Sequence, residues 1–201
     1  MTLRVSGGRR LQSPPGSIAR PTAARVRLAV MNLLADEVPG CRWLDLCCGS
    51  GVMACEALQR GAREVVAVER DRRIAAVARS NLDAVLGGLP PLEGAEARRV
   101  RVVQGEVLRW LATKPAEVAG RPFDLIYLDP PYAGELHAAV AAAVRLGGWL
   151  APGGTLVWEC GSDAVPAPPP GWGRRDCRRY GGTTLVLLDD LPHNGGDALL
   201  A

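Results

Sequence analysis

The first 35 residues of this 201-residue chain contain no Asp or Glu, although the whole chain has 21 acidic and 24 basic side chains. Six arginines occupy this acid-free stretch, namely Arg4, Arg9, Arg10, Arg20, Arg25 and Arg27. The remaining 18 basic and 21 acidic groups follow, so the net charge of +3 divides into +6 before Asp36 and −3 from Asp36 onward. This distribution predicts a basic arm ahead of a slightly acidic body. Such an arm contacts an acidic partner or merely keeps the chain soluble.

Long apolar runs are also missing. The chain is 48% hydrophobic, yet its uninterrupted apolar runs fall far short of the roughly 18 residues that a membrane span requires. No apolar segment follows the arginines and glycines near the N-terminus, as it would in a secretory signal. A chain of this length buries about 70% of the surface exposed on unfolding, enough for one domain. We therefore expect a cytoplasmic monomer that acts away from membranes.

The sequence has no Cys-x-x-Cys pair and only two histidines, which lie far apart at His137 and His193. Neither spacing is that of a zinc site or of a disulfide scaffold. We expect no metal ion and reduced, mostly buried thiols at the six cysteines: Cys41, Cys47, Cys48, Cys55, Cys160 and Cys177.

From residue 40 onward, short apolar runs alternate with longer segments of helical period. This alternation is typical of a parallel sheet with helices on both faces. The predicted strands are Arg42–Leu46, Glu64–Glu69, Val100–Gln104, Phe123–Leu128 and Thr155–Glu159. The predicted helices are Val52–Arg60, Arg72–Leu86, Glu106–Val118 and Gly134–Leu146.

An antiparallel hairpin is predicted at the end of this pattern, where Arg174–Tyr180 and Thr183–Leu188 flank Gly181-Gly182. Other glycine and proline clusters, such as Pro152-Gly153-Gly154, indicate connections. The whole pattern predicts an α/β, Rossmann-like fold with a seven-stranded, mostly parallel sheet. We assign this domain to residues 39–190. We expect residues 1–38 to form the basic arm and a helix from Pro21 to about Ala35, and residues 191–201 to form a flexible tail.

A glycine-rich loop, Asp45-Leu46-Cys47-Cys48-Gly49-Ser50-Gly51, follows the first predicted strand. Glycines at such a turn let the backbone approach a ligand, which the helix N–H groups face. The pattern Gly49-x-Gly51-x-x-Ala54 also fits the fingerprint of a dinucleotide-binding loop. Glu69 does not discriminate between cofactors, because its carboxylate would accept hydrogen bonds from the ribose hydroxyls of a dinucleotide or of S-adenosylmethionine. Asp45 favours a cofactor with an amino-acid end, because a carboxylate is unfavourable beside a pyrophosphate. The loop resembles the D-x-x-x-G-x-G motif of class I S-adenosylmethionine-dependent methyltransferases; a nicotinamide enzyme and a purely structural turn are the alternatives.

Glu106 follows the third predicted strand. In class I methyltransferases, an acidic or amide residue at this place commonly accepts from the adenine amino group. The alternative role is that of an acid at a helix N-terminus, where the helix dipole stabilises it. The two roles are compatible.

The fourth predicted strand runs directly into Asp129-Pro130-Pro131-Tyr132. Two consecutive prolines fix the backbone and remove two donors, which leaves carbonyls free as acceptors. Asp129 adds a carboxylate acceptor and Tyr132 a flat face, so the motif suits a planar molecule that carries an NH2 group. Hydrogen bonds from both N–H groups would favour a pyramidal nitrogen whose lone pair points at the sulfonium methyl. Tyr132 would stack on a base that lies outside any helical stack.

More of the chain resembles the RsmD family, bacterial methyltransferases that modify N2 of a guanine in 16S ribosomal RNA. The resemblance covers roughly residues 3–188. It is most specific at Arg20-Pro21-Thr22-x-x-Arg25-Val26-Arg27. The further matching stretches are Leu3–Gly8, Asp45–Gly51, Glu56-Ala57-Leu58, Gly61-Ala62, Glu69-x-Asp71, Asn81-Leu82, Phe123–Tyr132, Gly148-Trp149-Leu150 and Tyr180-Gly181-x-Thr183. The chain departs from the family in a shortened arginine run at Arg9-Arg10-Leu11 and in lacking acids at Ala24 and Leu28.

The resemblance implies a class I methyltransferase whose cofactor is S-adenosyl-L-methionine and whose partner is 16S rRNA or an assembling small ribosomal subunit. It assigns catalysis to Asp129, Pro130, Pro131 and Tyr132. It assigns cofactor binding to Asp45, Cys47, Gly49, Ser50, Gly51, Glu69, Arg70, Glu106 and Val107. The residues expected to contact RNA phosphates are Arg9, Arg10, Arg20, Thr22, Arg25 and Arg27. The alternatives are a DNA adenine-N6 methyltransferase, a nicotinamide-dependent oxidoreductase and a non-catalytic RNA-binding relative.

Overall fold

The computed structural model describes residues 3–14, 23–91, 97–130 and 135–192. Its strands are β1 (Arg42–Leu46), β2 (Glu64–Glu69), β3 (Arg99–Gln104), β4 (Phe123–Leu128), β5 (Leu150–Gly161), β6 (Trp172–Tyr180) and β7 (Thr183–Asp190). Its helices are α1 (Ala24–Leu33), α2 (Val52–Gln59), α3 (Arg72–Leu86), α4 (Val107–Leu111), α5 (Pro115–Val118) and α6 (Glu135–Leu146). None of the described helices is long and apolar enough to cross a membrane.

The strands form one seven-stranded sheet in the order β3-β2-β1-β4-β5-β7-β6. The first five strands are parallel, and β7 pairs antiparallel with both β5 and β6. This arrangement confirms the predicted α/β class and the C-terminal hairpin. The chain order reverses between β1 and β4, and open α/β sheets bind ligands in the crevice at the carboxyl end of such a switch point.

Each face of the sheet carries a hydrophobic core because side chains alternate along the strands. On β4, Leu125 and Tyr127 pack in the core with α1, α2 and α3, whereas Ile126 and Leu128 pack in the core with α4 and α6. Central strands are covered on both faces, which explains why β1 is buried at all five positions.

The basic N-terminal segment packs on the same core as α1, α2 and α3. Leu3, Val5 and Leu11 are buried there. The segment folds back on itself, since Arg4 and Arg10 form an antiparallel bridge and the Leu11 N–H donates to the Leu3 carbonyl at 2.9 Å. The arm is thus a docked part of the domain over residues 3–14.

Two predicted elements differ from the structure. The single helix expected over Glu106–Val118 is two helices, because Pro115 lacks the N–H that a continuous helix needs and instead occupies the first turn of α5. The Pro152-Gly153-Gly154 cluster, expected as a connection, lies inside β5. The register shifts there, from Phe123 opposite Leu150 to Leu125 opposite Thr155, and Gly153 adopts a φ of +75°.

Candidate active site

Four carboxylates lie at the carboxyl ends of neighbouring parallel strands. Asp45 is on β1, Glu69 ends β2, Asp129 follows β4, and Glu159 is near the end of β5. The register aligns these ends, since Leu46 pairs with Leu128 and Leu128 pairs with Trp158. The Asp129 N–H also donates to the Leu46 carbonyl at 3.4 Å. The structure therefore brings the carboxylate of the glycine loop and the first residue of the Asp-Pro-Pro-Tyr motif to one edge of the sheet.

The loop between β1 and α2 turns tightly. Gly49 and Gly51 adopt φ values of +53° and +73°, which favour glycine, and Cys47 adopts +61° at a cost of about 1 kcal/mol. A Cβ on Gly51 would lie 3.1 Å from the Ala78 Cβ, so glycine also allows α3 to approach the loop. A Cβ on Gly49 would meet nothing within 4 Å, which leaves open space beside the loop.

Asp45 is 1% exposed, and its Oδ2 accepts from the Ala54 N–H at 3.0 Å in the first turn of α2. Burial, with repulsion from Asp129, Glu69 and Glu159, raises the pKa of Asp45 well above its ordinary value. Among the described residues, no Lys or Arg forms a salt bridge with Asp45. A buried carboxylate in this position fits a positively charged ligand, which would favour its ionised form.

Glu69, at the end of β2, stabilises the glycine-rich loop between β1 and α2 through hydrogen bonds. Its Oε2 accepts from the Gly49 N–H at 3.0 Å, and its Oε1 accepts from the Asp71 N–H at 2.9 Å. A carboxylate oxygen has two acceptor sites, so each oxygen keeps one for a ligand hydroxyl. Contact with a ribose stays a prediction, and the observed bonds give Glu69 a structural role as well.

Glu106 is exposed and caps α4, accepting from the Leu108 and Arg109 N–H groups at 3.1 and 2.7 Å. The helix-terminal role is therefore present in the structure, and the adenine contact stays a prediction.

Val107 is buried in the core shared with α6. Arg70 is exposed on the neighbouring connection, and its carbonyl accepts from the Gln104 side-chain amide at 2.9 Å. Ser50 is buried, and its backbone carbonyl accepts a hydrogen bond from the Asn81 side-chain amide on α3.

Asp129 is half-buried and Pro130 is buried at the end of β4. The charge of Asp129 raises the pKa values of Asp45, Tyr127 and Glu159, which places its carboxylate within electrostatic reach of all three. Pro131 and Tyr132, the other two predicted catalytic residues, lie outside the described residues.

A buried Tyr127–Glu159 pair beside Asp129 is absent from the sequence predictions. The Tyr127 hydroxyl donates to Glu159 Oε2, and the Tyr127 ring stacks on Trp43 with centroids 6.0 Å apart. Burial, and to a smaller extent repulsion from Asp129, raises the pKa of Glu159 to about 7, although the hydrogen bond from Tyr127 lowers it. His137 Nε2 lies 2.9 Å from the Glu159 carbonyl. The signal in the sequence is an acid inside the otherwise apolar run Leu156–Cys160.

The predicted RNA-contacting arginines divide into two groups. Arg9, Arg10 and Arg25 are exposed, and Arg25 Nη2 donates to the Tyr180 carbonyl at 2.8 Å. Arg27 is 6% exposed; its Nε lies 3.4 Å from Glu56 Oε1, and its Nη2 donates to the Arg4 carbonyl at 2.7 Å. This burial differs from the surface position expected for a phosphate contact.

Arg20 and Thr22 lie outside the described residues. Across ranges 3–14, 23–91, 97–130 and 135–192, no group of three or more His, Cys, Asp or Glu side chains could hold a metal ion.

Comparison with known proteins supports the resemblance. The model of the family described as Conserved hypothetical protein 95 matches residues 4–189. Ribosomal RNA small subunit methyltransferase D of Escherichia coli (strain K12) is 30% identical over 175 residues, which are 85% of this chain and 81% of that protein. The putative rRNA methyltransferase YlbH of Bacillus subtilis is 31% identical over 125 residues, 62% of each chain.

Solved structures agree with these relatives. The putative methyltransferase yhhF from Escherichia coli is 28% identical, with a TM-score of 0.77 over 95% of this chain and 99% of that chain. The Thermus thermophilus hypothetical protein TTHA0928 is 30% identical, with a TM-score of 0.70 over 90% of this chain and 92% of that chain. The chain therefore belongs to the Conserved hypothetical protein 95 family and is a homologue of ribosomal RNA small subunit methyltransferase D.

Proposed function

We propose that this protein transfers the methyl group of S-adenosyl-L-methionine to the N2 amino group of a guanine in 16S rRNA of the small ribosomal subunit. One observation carries the proposal: Asp129-Pro130 lies at the carboxyl end of β4, next to the end of the β1 strand that bears Asp45. Homology to small subunit methyltransferase D supports the choice of substrate. We further propose a cytoplasmic monomer that works without a metal ion.

The described residues fit this cofactor by their chemistry. When bound, S-adenosyl-L-methionine supplies an electrophilic methyl group on a sulfonium ion. Asp45 is a buried carboxylate without a cationic partner among the described side chains, which suits the positively charged amino-acid end. Glu69 retains acceptor sites for the ribose hydroxyls. The cofactor would lie against the loop residues Cys47, Gly49, Ser50 and Gly51. Its adenine would lie on the side of Arg70, Glu106 and Val107.

Asp129 and the Pro130 carbonyl would accept the two N–H groups of guanine N2. The nitrogen lone pair is delocalised into the base, so holding both N–H groups favours the pyramidal, nucleophilic form. After methyl transfer the guanine nitrogen would carry an extra proton, and Asp129 would be the nearest proposed group to accept it. Pro131 and Tyr132 would complete the site by fixing the backbone and stacking on the base.

Arg9, Arg10 and Arg25 would contact RNA phosphates, together with Arg20 and Thr22. These contacts position the substrate without reading its sequence and weaken as the salt concentration rises. We propose that Arg27 acts indirectly, since its ion pair with Glu56 and its bond to the Arg4 carbonyl hold the N-terminal segment in place. The partner is 16S rRNA, free or in an assembling subunit.

Mapping of N2-methylguanine in 16S rRNA tests the proposal. Cells that lack the protein should lose one N2-methylguanine, and expression of the wild-type chain, but not of Asp129→Ala, should restore it. Purified protein should transfer labelled methyl groups to 16S rRNA and not to duplex DNA, and calorimetry should detect S-adenosylhomocysteine binding and no comparable NAD binding. An unchanged 16S modification pattern in the deletion strain would exclude this substrate.

A further inference from the structure

The side-chain amide of Asn81 on α3 connects the N-terminal segment to the glycine loop. Its Nδ2 donates to the Ser50 carbonyl at 3.0 Å and to the Gln12 carbonyl at 3.0 Å. Its Oδ1 accepts from the Gln12 N–H at 2.7 Å. Asn81 therefore holds both backbone polar groups of Gln12 and one backbone carbonyl of the loop.

The bond to the Ser50 carbonyl is buried, because Asn81 is 2% exposed and Ser50 is 5% exposed, and the two bonds to Gln12 are partly buried. A buried amide that loses a partner pays the full desolvation penalty of the group left unsatisfied. Both Nδ2 hydrogens have an acceptor, so moving either the loop or the segment leaves one of them without a bond. The positions of the loop and the segment are thus energetically linked through one side chain.

The two linked elements belong to different parts of the proposed site. Ser50 lies between Gly49 and Gly51, whose positive φ values turn the backbone of the proposed cofactor loop. Gln12 follows the docked hairpin that carries Arg9 and Arg10, and it precedes residues 15–22, which include Arg20 and Thr22. Asn81 itself has no predicted contact with cofactor or RNA.

We infer that Asn81 is a positioning residue that couples the cofactor loop to the basic N-terminal segment, so that ordering one favours the bound arrangement of the other. Coupling between two sites is reciprocal and typically amounts to 5- to 150-fold in affinity. Its consequence for catalysis rests on the proposed RNA role of the segment. The link itself can be measured without RNA.

Hydrogen exchange of residues 3–14 tests the link. In the wild-type protein, saturating S-adenosylhomocysteine should slow exchange of this segment by about tenfold, foremost at the Gln12 amide that donates to Asn81. In Asn81→Leu this slowing should disappear while calorimetry still detects S-adenosylhomocysteine binding. Ser80→Ala is the matched control, because the Ser80 hydroxyl accepts from the Gln12 side chain at 3.1 Å but has no bond to the loop. It should retain the slowing.

A second variant covers the case in which Asn81→Leu fails to fold. Gln12 is exposed, and Gln12→Pro removes the N–H that donates to Asn81 Oδ1, together with the side-chain bond to Ser80 that the Ser80→Ala control also lacks. By reciprocity it should weaken S-adenosylhomocysteine binding about fivefold or more. Unchanged affinity in Gln12→Pro would overturn the inference, and so would slowing that persists in Asn81→Leu.

Both measurements use S-adenosylhomocysteine alone, so failure of the guanine assignment leaves their outcome unaffected. A protein that binds S-adenosylhomocysteine and shows the link but leaves 16S rRNA unmodified would refute the proposed substrate only. A protein that modifies 16S rRNA yet shows no slowing in residues 3–14 would refute the coupling only.

Discussion

Glu159 should make the protein less stable as the pH rises toward neutrality, and Glu159→Gln should remove this effect. The side chain is 9% exposed, and its Oε2 accepts from the Tyr127 hydroxyl. Burial is the main cause that raises its pKa to about 7, and the neighbouring Asp129 carboxylate is the second. None of the salt bridges among the described residues involves Glu159.

The sign follows from proton binding in the two states. Between pH 4.5, the ordinary pKa of the group, and pH 7, the folded protein keeps the proton on Glu159 while the unfolded chain releases it. Stability contributed by this group is therefore fully present below about pH 4.5 and is lost as the pH rises through 7. One pKa unit corresponds to about 1.4 kcal/mol, so the ionised carboxylate costs the fold about 3 kcal/mol above pH 7.

Urea unfolding at several pH values measures this cost. Glutamine cannot ionise, and its carbonyl can still accept from Tyr127, so Glu159→Gln should exceed the wild type in free energy of unfolding by about 3 kcal/mol at pH 8. The difference should vanish near pH 4.5. Asp83→Asn, an exposed position on α3, serves as the control and should show no such trend. A Glu159→Gln protein that is less stable than the wild type at pH 8 would refute the reasoning.

Three further predictions concern catalysis, RNA affinity and folding. Asp129→Ala should lower the single-turnover rate of methyl transfer by about a hundredfold or more while S-adenosylhomocysteine still binds by calorimetry; a wild-type rate would remove Asp129 from the mechanism. Arg25→Ala should reduce the slope of log affinity against log salt by about 0.7 to 0.9 in RNA titrations, and an unchanged slope would argue against a phosphate contact. Glu56→Ala leaves the buried Arg27 without its carboxylate and should lower the free energy of unfolding by about 3 kcal/mol in urea titration. A loss below about 1 kcal/mol, the range of surface pairs, would show that the pair is not structural.

The central strands could be predicted to the residue. Arg42–Leu46, Glu64–Glu69 and Phe123–Leu128 have the same bounds in the sequence analysis and in the structure. Strands buried on both faces form continuous apolar runs, and the turns that end them are short. The positions of Asp45 and Asp129 were predictable for the same reason, because Asp45 lies one residue before the end of β1 and Asp129 directly follows β4.

Other features depend on contacts that local sequence does not encode. The Arg27–Glu56 pair joins side chains 29 positions apart, and an arginine at a helix start gives no sign of whether its guanidinium is buried. The Tyr127–Glu159 pair likewise forms across two parallel strands. The strand through Pro152–Gly154 was missed because those residues usually end a strand, whereas here a register shift accommodates them.

The docked N-terminal segment changes the meaning of the uneven charge along the chain. A loose arm would keep all its arginines in solvent, but Arg27 is neutralised inside the fold by Glu56, and Ser6 donates to the same carboxylate from its N–H at 3.1 Å and its hydroxyl at 2.7 Å. These bonds fix the hairpin that carries Arg9 and Arg10 relative to α2, the helix that begins at the glycine loop. A positive charge held at a fixed place can orient a substrate as well as attract it. If the segment contacts RNA as proposed, its fixed place would set where the RNA lies relative to the carboxylates at the sheet edge, which a flexible tail of equal charge could not do.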